Sequence, residues 1–194
     1  LIEAAGDGGL AHLVTGALSP PEQVPYLAAG FTVHDRLHLL RHDLVDIPVP
    51  PPPAVRLRRA RRVDVDAALA VDARAFDAFW RLDRAGLDDA VHATTSARFR
   101  VAGDPTVVGY AVTGRAGDRG YLQRLAVDPS RWRHGLGAAL AIDGLRWLCR
   151  RRTSSAVVNT QVGNDAALAL YRRLGFVLQP GGLDVLARAV GPPP

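Results

Sequence analysis

A run of prolines limits what the chain can form after its first quarter and divides it into two parts. Residues 46–55 read DIPVPPPPAV, and the prolines at 50–53 are consecutive. Because proline fixes φ and lacks an amide hydrogen, this run cannot continue a helix or a central strand. Proline-rich segments form extended spacers instead. We therefore predict a linker over residues 47–53, between an N-terminal extension of residues 1–46 and a larger domain of residues 54–191.

Strand-like and helical patterns alternate through the larger domain. Short apolar runs bounded by Gly, Pro or Asp indicate strands, and apolar residues at helical spacing indicate helices. The predicted strands span residues 54–62, 97–102, 106–114, 120–127, 155–162, 176–179 and 183–189, and the predicted helices span 63–76, 84–94, 136–152 and 165–175. Helical crossovers join parallel strands, whereas hairpins join antiparallel ones. The order β-α-α-β-β-β-α-β-α-β-β therefore predicts an α/β fold with a mixed central sheet and helices on both faces.

The N-terminal extension repeats a feature of the larger domain. YLAAGF at residues 26–31 has the spacing of YRRLGF at residues 171–176, and a strand-like run follows each. Chance can produce so short a match. The other interpretation is that residues 1–46 are the tail half of a duplicated domain, folded as a helix and a hairpin.

The composition is that of a soluble globular protein. Hydrophobic residues make up 48% of the chain and charged residues 22%. No apolar run approaches the ~18–20 residues that cross a membrane, and the first residues lack the layout of a secretion signal. Cys149, the only cysteine, lies in an apolar-patterned run that indicates a buried structural thiol. We expect a cytoplasmic protein with no membrane partner.

Charge and histidine patterns give no separate binding site. The net charge of +5 is carried by arginine, since the chain has no lysine, and it is compatible with a polyanionic ligand. RLRRARR at 56–62 lacks interleaved aromatic residues, which favours an exposed strand face over a nucleic-acid site. His34, His38 and His42 recur every four residues without a carboxylate pattern, so we predict no metal site. A homodimer stays open.

The segment VDPSRWRHGLG, residues 127–137, follows a predicted strand and opens a predicted helix. The first amides of a helix have no partner within it, and they favour a bound negative charge. Gly135 and Gly137 lack a Cβ, so either a ligand or a neighbouring helix can approach closely. A P-loop is excluded because it needs a lysine. A dinucleotide fingerprint is excluded because Leu140 occupies the third glycine position.

A second motif narrows the interpretation. NDAALALYRRLGF at residues 164–176 places Asn164 at a helix start and Tyr171 two turns later on the same face. With the two motifs in this order, residues 54–190 resemble the GCN5-related N-acetyltransferase (GNAT) superfamily. Its acyl-CoA motif, V-x-P-x-x-[QR]-x-x-G-x-[GA], is followed by N-x-x-A-x-x-x-Y-x-x-x-GF. The matching residues are Val127, Pro129, Gly135, Gly137, Asn164, Ala167, Tyr171, Gly175 and Phe176.

The resemblance implies an N-acetyltransferase that uses acetyl-CoA as cosubstrate and needs no metal. The residues implied to bind acetyl-CoA are Leu125, Ala126, Val127, Trp132, Arg133, His134, Gly135, Leu136, Gly137, Ala138, Asn164, Ala167 and Tyr171. Residues 125–127 would align the pantetheine arm, residues 133–138 would hold the pyrophosphate, and Asn164 would hydrogen-bond the arm. Trp132 departs from the family pattern, which has Gln or Arg there.

The catalytic assignment is incomplete. Tyr171 is implied as the proton donor to the departing thiolate; the alternative is an aromatic ring packed in the core with its hydroxyl satisfied. Relatives use a carboxylate on the strand at 120–127 or five residues before the motif Asn. Here those positions hold Gln123, on a predicted face with Tyr121, Leu125 and Val127, and Asn159. Other bases that stay open are a water chain to solvent and the side chains of Asp77, Asp83, His92 and Asp118.

The resemblance also places the acceptor site, although it does not identify the acceptor. In the family, the segment between the first two helices lines this site, here residues 76–87. Phe76, Phe79 and Trp80 would form an apolar wall with Gln123 and Asn159 nearby, or the aromatic residues would be a buried anchor. The acceptor would be a small-molecule primary amine or a peptide N-terminus. Because the usual carboxylates are absent, the alternative function is an acetyl-CoA-binding sensor or regulatory module with little catalysis.

Overall fold

The structure, a computed structural model, describes residues 12–49 and 55–189. The proline run at 50–53 lies outside the described residues. The strands are β1 (His12–Leu18), β2 (Thr32–His42), β3 (Leu57–Arg59), β4 (Ser96–Ala102), β5 (Gly109–Ala116), β6 (Arg119–Val127), β7 (Ser155–Gln161), β8 (Val177–Leu178) and β9 (Leu183–Ala189). The α-helices are α1 (Pro20–Ala28), α2 (Val65–Ala75), α3 (Arg84–His92), α4 (Leu136–Arg150) and α5 (Asp165–Arg173).

The predicted order of elements in the larger domain is confirmed from β3 to β9. The first strand is shorter than predicted, because a 3₁₀ turn at Arg62–Asp64 interrupts the basic segment. Asp64 immediately precedes α2. Its carboxylate receives two hydrogen bonds of 2.7 Å from the Arg58 guanidinium and one from the amide of Arg61. An ion pair therefore fixes the start of α2.

The chain divides into two compact units, and neither is a single continuous segment. The first comprises residues 1–40, 159–169 and 178–194, and the second comprises residues 41–158 and 170–177. The predicted domain boundaries at residues 47–53 remain a prediction.

In the second unit the strands run in the order β7-β6-β5-β4-β3. β6 pairs with β7 in parallel, and the pairs from β6 to β3 are antiparallel. The predicted mixed sheet is therefore confirmed. One face carries α2 and α3 over a core that includes Val71, Leu87, Val101 and Tyr110. On the other face Leu140 of α4 packs on Ala102 and Ala111, so helices lie on both faces as predicted.

In the first unit, β1 and β2 both pair antiparallel with β9, which lies between them. The N-terminal segment therefore forms a strand, a helix and a strand, where a helix and a hairpin were expected. Ser19 and Glu22 form a capping box at the start of α1, and the side chain of Glu22 accepts from the Ser19 amide at 2.8 Å.

The two repeated hexapeptides adopt the same helix-ending turn. Phe31 donates its amide to the carbonyl of Tyr26, and Phe176 donates to that of Tyr171, both at 3.0 Å. The glycine before each Phe has a positive φ, +83° and +92°, as the Schellman motif requires. The Tyr and Phe rings meet edge to face, at 5.4 Å in the first copy and 5.6 Å in the second. The shared geometry supports the duplication hypothesis, which stays a prediction.

The surroundings of Cys149 differ from the prediction, and those of His42 give its side chain a structural role. Cys149 is exposed, because it lies on the solvent side of α4, so the predicted buried thiol is wrong. His42 is buried and serves the backbone: its Nδ1 accepts from the amide of Leu44 at 2.7 Å, and its Nε2 donates to the carbonyl of Leu174 at 2.9 Å. Both ring nitrogens are therefore occupied.

Candidate active site

A β-bulge shapes the strand that leads into the glycine loop. In the pairing of β5 with β6, Val112 lies opposite Arg124, whereas the next residue, Thr113, lies opposite Leu122. Gln123 is thus the extra residue of the bulge. A bulge shifts the alternation of side chains by one position, and nothing in the strand's apolar pattern signals it.

The bulge changes which side chains share a face. Leu125 and Val127 pack toward Leu140 of α4. Gln123 lies over Gly114, on the face of α2 and α3, where a Cβ on that glycine would be 2.6 Å from its Oε1. The predicted common face of Gln123, Leu125 and Val127 is therefore wrong. Arg124 follows Gln123 onto the α2 face, and this residue was missed because simple alternation turned it away from the acceptor segment.

Short polar contacts fix the loop after β6. The carboxylate of Asp128 accepts from the amide and hydroxyl of Ser130, and it pairs with Arg74 of α2 at 2.8 Å. These hydrogen bonds, those of Ser130 first, lower the pKa of Asp128. The loop therefore has a defined shape before any ligand arrives.

The start of α4 presents a row of unused amides. The first amide of this region that bonds inside the chain is Ala139, which donates to the carbonyl of Gly135 at 2.9 Å. Within the part of the chain that the structure describes, no carbonyl accepts from the amides of residues 133–138. Residues 131–135 are exposed, whereas Leu136 is buried and Gly137 and Ala138 are half-buried. An exposed helix start with free amides binds anions, so residues 133–138 fit a pyrophosphate.

The two glycines of the loop have different roles. Gly135 has φ +76°, and a Cβ on it would meet no atom within 4 Å, so its open side is free for a ligand. A Cβ on Gly137 would lie 3.3 Å from Cδ2 of Leu170 and 3.9 Å from Cγ2 of Val127. Gly137 therefore allows close packing of α4, and only Gly135 matches the expected ligand approach.

Trp132 binds the loop's own backbone. Its indole Nε1 donates to the carbonyl of Val127 at 2.8 Å, although the residue is 54% exposed. His134 adds a second local bond, from its Nδ1 to the carbonyl of Trp132 at 2.8 Å. At the position where the family has Gln or Arg, this chain thus also has a hydrogen-bond donor. Trp132 uses it to attach the loop to the end of β6.

Tyr171 has a buried ring and an available hydroxyl. The residue is 5% exposed, and its ring packs edge to face on Phe176. Among the described residues no group hydrogen-bonds its hydroxyl, and the hydroxyl oxygen is not fully buried. Burial raises the pKa of Tyr171 to about 12, and the nearby Arg124 acts in the opposite direction. The hydroxyl therefore stays protonated and reaches solvent, as a proton donor requires.

The predicted acceptor segment contacts Arg124 of β6. Phe76 lies under the Arg124 guanidinium, 3.6 Å from its ring centre, and the Phe79 and Trp80 rings meet edge to face at 5.2 Å. Phe79 is 42% exposed, whereas the other two rings are half-buried. The structure therefore brings Phe76, Trp80 and the β6 bulge together, and leaves Phe79 toward solvent.

Asn164 of the motif and Asn159, five residues before it, belong to the first unit. Asn164 caps α5: its side-chain oxygen accepts from the amide of Ala167 at 3.1 Å. Asn159 is exposed on β7. Binding of acetyl-CoA by Asn164 and Ala167, and of acceptor by Asn159, stays a prediction.

The candidate bases in loops have local partners. Asp83 caps α3 through the amide of Gly86 at 2.7 Å, and Asp77 accepts from the amide of Trp80 at 3.3 Å. Asp118 accepts from the Ser154 hydroxyl at 3.0 Å. His92 is exposed beside Asp88. None of these contacts selects a base.

Among residues 12–49 and 55–189, no group of three or more His, Cys, Asp or Glu side chains is arranged to hold a metal ion. No helix in the same residues is long and apolar enough to span a bilayer.

The chain belongs to the Acetyltransferase (GNAT) family, because the model of that family matches residues 63–176. The match contains α2 and the predicted acceptor segment, the bulged strand, the glycine loop, and the helix that carries Tyr171. The predicted family membership is confirmed.

Similar proteins support this assignment. A mycothiol acetyltransferase from Acidothermus cellulolyticus is 32% identical over 221 residues, covering 96% of this chain and 64% of that protein. The chain thus spans less than two thirds of that relative. A tandem GNAT protein from the clavulanic acid biosynthesis pathway has a TM-score of 0.71 at 18% identity, covering 100% of this chain and 68% of that one. The PaiA N-acetyltransferase from Thermoplasma acidophilum, solved with coenzyme A, has a TM-score of 0.59 at 13% identity, covering 70% and 99%. These structures show the GNAT fold.

Proposed function

We propose that the protein is an acetyl-CoA-dependent N-acetyltransferase that acetylates a primary amine by direct attack in a ternary complex. The observation that carries this proposal is the exposed start of α4, where the amides of residues 133–138 are unused and Gly135 leaves open space. These donors suit the pyrophosphate of coenzyme A. Acetyl-CoA, when bound, supplies the acetyl thioester.

We call the amides of residues 133–138 the phosphate cradle. The residues around this cradle have separate roles in the proposal. The backbone of Leu125, Ala126 and Val127 aligns the pantetheine arm. Arg133, His134, Gly135, Leu136, Gly137 and Ala138 surround the pyrophosphate. Trp132 supports them indirectly, since its indole holds the loop against Val127. The pairing of Asp128 with Arg74 supports the same loop from α2.

Tyr171 is the proposed general acid. A general acid must be protonated at working pH, and its proton must not be engaged by another group of the protein. Burial keeps the pKa of Tyr171 at about 12, so the first condition holds throughout the neutral range. The second condition is supported by a hydroxyl that no described group engages. A water chain to solvent is the proposed route for the amine proton, because no carboxylate stands at the usual strand position.

The proposed acceptor is a small-molecule primary amine or a peptide N-terminus. Half-buried Phe76 and Trp80 provide an apolar wall beside the β6 bulge. Relatives of 32% and 34% identity are named mycothiol acetyltransferases. The acceptor used by those enzymes is therefore the first one to assay.

A second candidate function is acetyl-CoA binding without efficient turnover, as a sensor or regulatory module. One observation favours it: where the resemblance implies a carboxylate, the strand holds the amide Gln123, which is the extra residue of the β6 bulge. The intact Tyr171 hydroxyl favours the enzyme instead.

Thiol release from acetyl-CoA distinguishes the two functions. The wild-type protein is incubated with acetyl-CoA and the acceptor of the mycothiol acetyltransferases, and then with a panel of amino-acid, polyamine, aminoglycoside and peptide amines. Coenzyme A is quantified against acetylated acceptor by mass spectrometry. The enzyme requires equimolar coenzyme A and acetyl-amine with at least one acceptor. If calorimetry shows that acetyl-CoA binds, but no acceptor causes release of coenzyme A, the result would support the sensor and contradict the enzyme proposal.

A further inference from the structure

The most completely built polar group outside the cradle is a buried ion pair between α2 and β6. Asp72 is fully buried, and its carboxylate accepts two hydrogen bonds of 2.8 Å, from Nε and Nη2 of Arg124. Asp72 also accepts from the Tyr110 hydroxyl at 2.5 Å and from the amide of Leu82 at 2.8 Å. A carboxylate so fully satisfied can hold a guanidinium in one orientation.

The same pair shapes the acceptor segment. Arg124 donates from Nη2 to the carbonyl of Trp80 at 2.6 Å, and its guanidinium covers the ring of Phe76. Both ends of the turn after α2 are thereby attached to the pair, because Leu82 also bonds Asp72. The guanidinium thus lies against the wall that the acceptor is expected to contact.

One nitrogen of Arg124 is left over. The hydrogen bonds of its guanidinium use Nε and Nη2. Among the described residues none accepts a hydrogen bond from Nη1, and this nitrogen is not fully buried. The side chain is 12% exposed. Nη1 therefore presents fixed, unused N–H groups to solvent at the β6 bulge.

The chemistry of this nitrogen limits what it can bind. A guanidinium only donates hydrogen bonds and keeps its charge at every working pH. An ammonium group is repelled from it, whereas a carbonyl or carboxylate oxygen is attracted. Because Asp72 already balances the charge, a neutral carbonyl oxygen is sufficient. The position lies one residue before Leu125, where the thioester arm is proposed to align.

We propose that Arg124 Nη1 binds a carbonyl or carboxylate oxygen next to the reacting amine of the acceptor. The inference rests on the proposed acetyl transfer, and it names the acceptor class: α-amino carbonyl compounds such as amino-acid amides and peptide N-termini. Arg124 is then a specificity-determining residue, and Asp72 is the positioning residue that aims it.

The test compares two small acceptors that differ in the oxygen. The kcat/KM for glycinamide is divided by that for n-propylamine, so that general damage to the enzyme cancels from the ratio. The first variant is Arg124→Lys, which keeps a positive charge near Asp72 but loses the planar set of guanidinium N–H donors. The second combines Arg124→Gln with Asp72→Asn and leaves no buried unpaired charge. Tyr110→Phe is the control, since it removes one bond to Asp72 and leaves Nη1 in place.

The wild type should favour glycinamide, and both Arg124 variants should lower the ratio on the order of 10- to 100-fold, the usual effect of a hydrogen bond to a charged group. Tyr110→Phe should keep the wild-type ratio. An unchanged ratio in folded Arg124 variants, including one that results from an equal fall in kcat/KM for both acceptors, would overturn the inference. If no coenzyme A is released from acetyl-CoA with either acceptor or with any amine of the wider panel, the proposed transfer itself is refuted, and this inference with it.

Discussion

Replacing Gly135 by alanine separates the cost to folding from the cost to binding. Gly135 has φ +76°, where an L-residue is less stable than glycine by about 1–2 kcal/mol. A Cβ there meets no atom within 4 Å, so no clash adds to this backbone term. We expect Gly135→Ala to lower the free energy of unfolding by about 1–2 kcal/mol.

The effect on ligand binding should exceed the effect on folding. The new methyl group would occupy the open side of the cradle, where the phosphate oxygens are proposed to accept from the amides. Loss of one hydrogen bond to a charged group corresponds to about 1.5–3 kcal/mol, or on the order of 10- to 100-fold in Kd. Calorimetric titration with coenzyme A measures the affinity, and urea denaturation measures the stability.

Gly137→Ala is the matched control. Its Cβ points to Leu170 and Val127 at 3.3 and 3.9 Å, away from the open side of the cradle. This variant should keep coenzyme A affinity within a few fold, although packing near Leu170 must adjust. Equal affinities of wild type and folded Gly135→Ala would refute the cradle.

Three further predictions concern single side chains. Tyr171→Phe should lower kcat by about 10²–10⁴-fold, the usual contribution of a general acid, with little change in acetyl-CoA affinity; undiminished turnover would remove Tyr171 from the mechanism. His42→Phe should destabilise the fold by about 2–4 kcal/mol in urea denaturation, because it leaves the Leu44 amide and the Leu174 carbonyl unpaired; a change under about 0.5 kcal/mol would show that water replaces the ring. Acid stability should depend on Asp64, whose pKa is lowered from 3.8 to about 2 chiefly by the hydrogen bond from Arg58. This stabilisation is complete above pH 3.8 and is lost as pH falls through 2, so Arg58→Gln should flatten the pH dependence of unfolding there, and an unaltered acid profile would contradict the assignment.

Local chemistry explains why the glycine loop could be predicted. A proline-containing turn, a glycine that needs positive φ and an apolar helical repeat all act within about a dozen residues of Gly135. The end of α5 is equally local, because Gly175 and Phe176 complete a backbone turn with Tyr171. Both features are therefore legible without knowledge of distant partners.

The acceptor side could not be predicted in the same way. The bulge at Gln123 depends on how β5 pairs with β6, and the order of apolar residues in β6 does not reveal it. Arg124 pairs with Asp72, which lies 52 residues earlier in the chain. Trp132 was recognised as a departure, but its bond to Val127 is a matter of rotamer and loop geometry. Contacts of this kind depend on tertiary packing, which no local pattern encodes.

The proposed function depends most directly on the amides of residues 133–138, which are proposed to hold the pyrophosphate of coenzyme A. Titration of ¹⁵N-labelled protein with coenzyme A, followed by NMR, observes these amides directly. We expect the largest shift changes, in the direction of hydrogen bonding to phosphate, to fall on residues 133–138, and this pattern to weaken in Gly135→Ala. Saturable binding that leaves these amides unshifted and perturbs another surface would contradict this expectation.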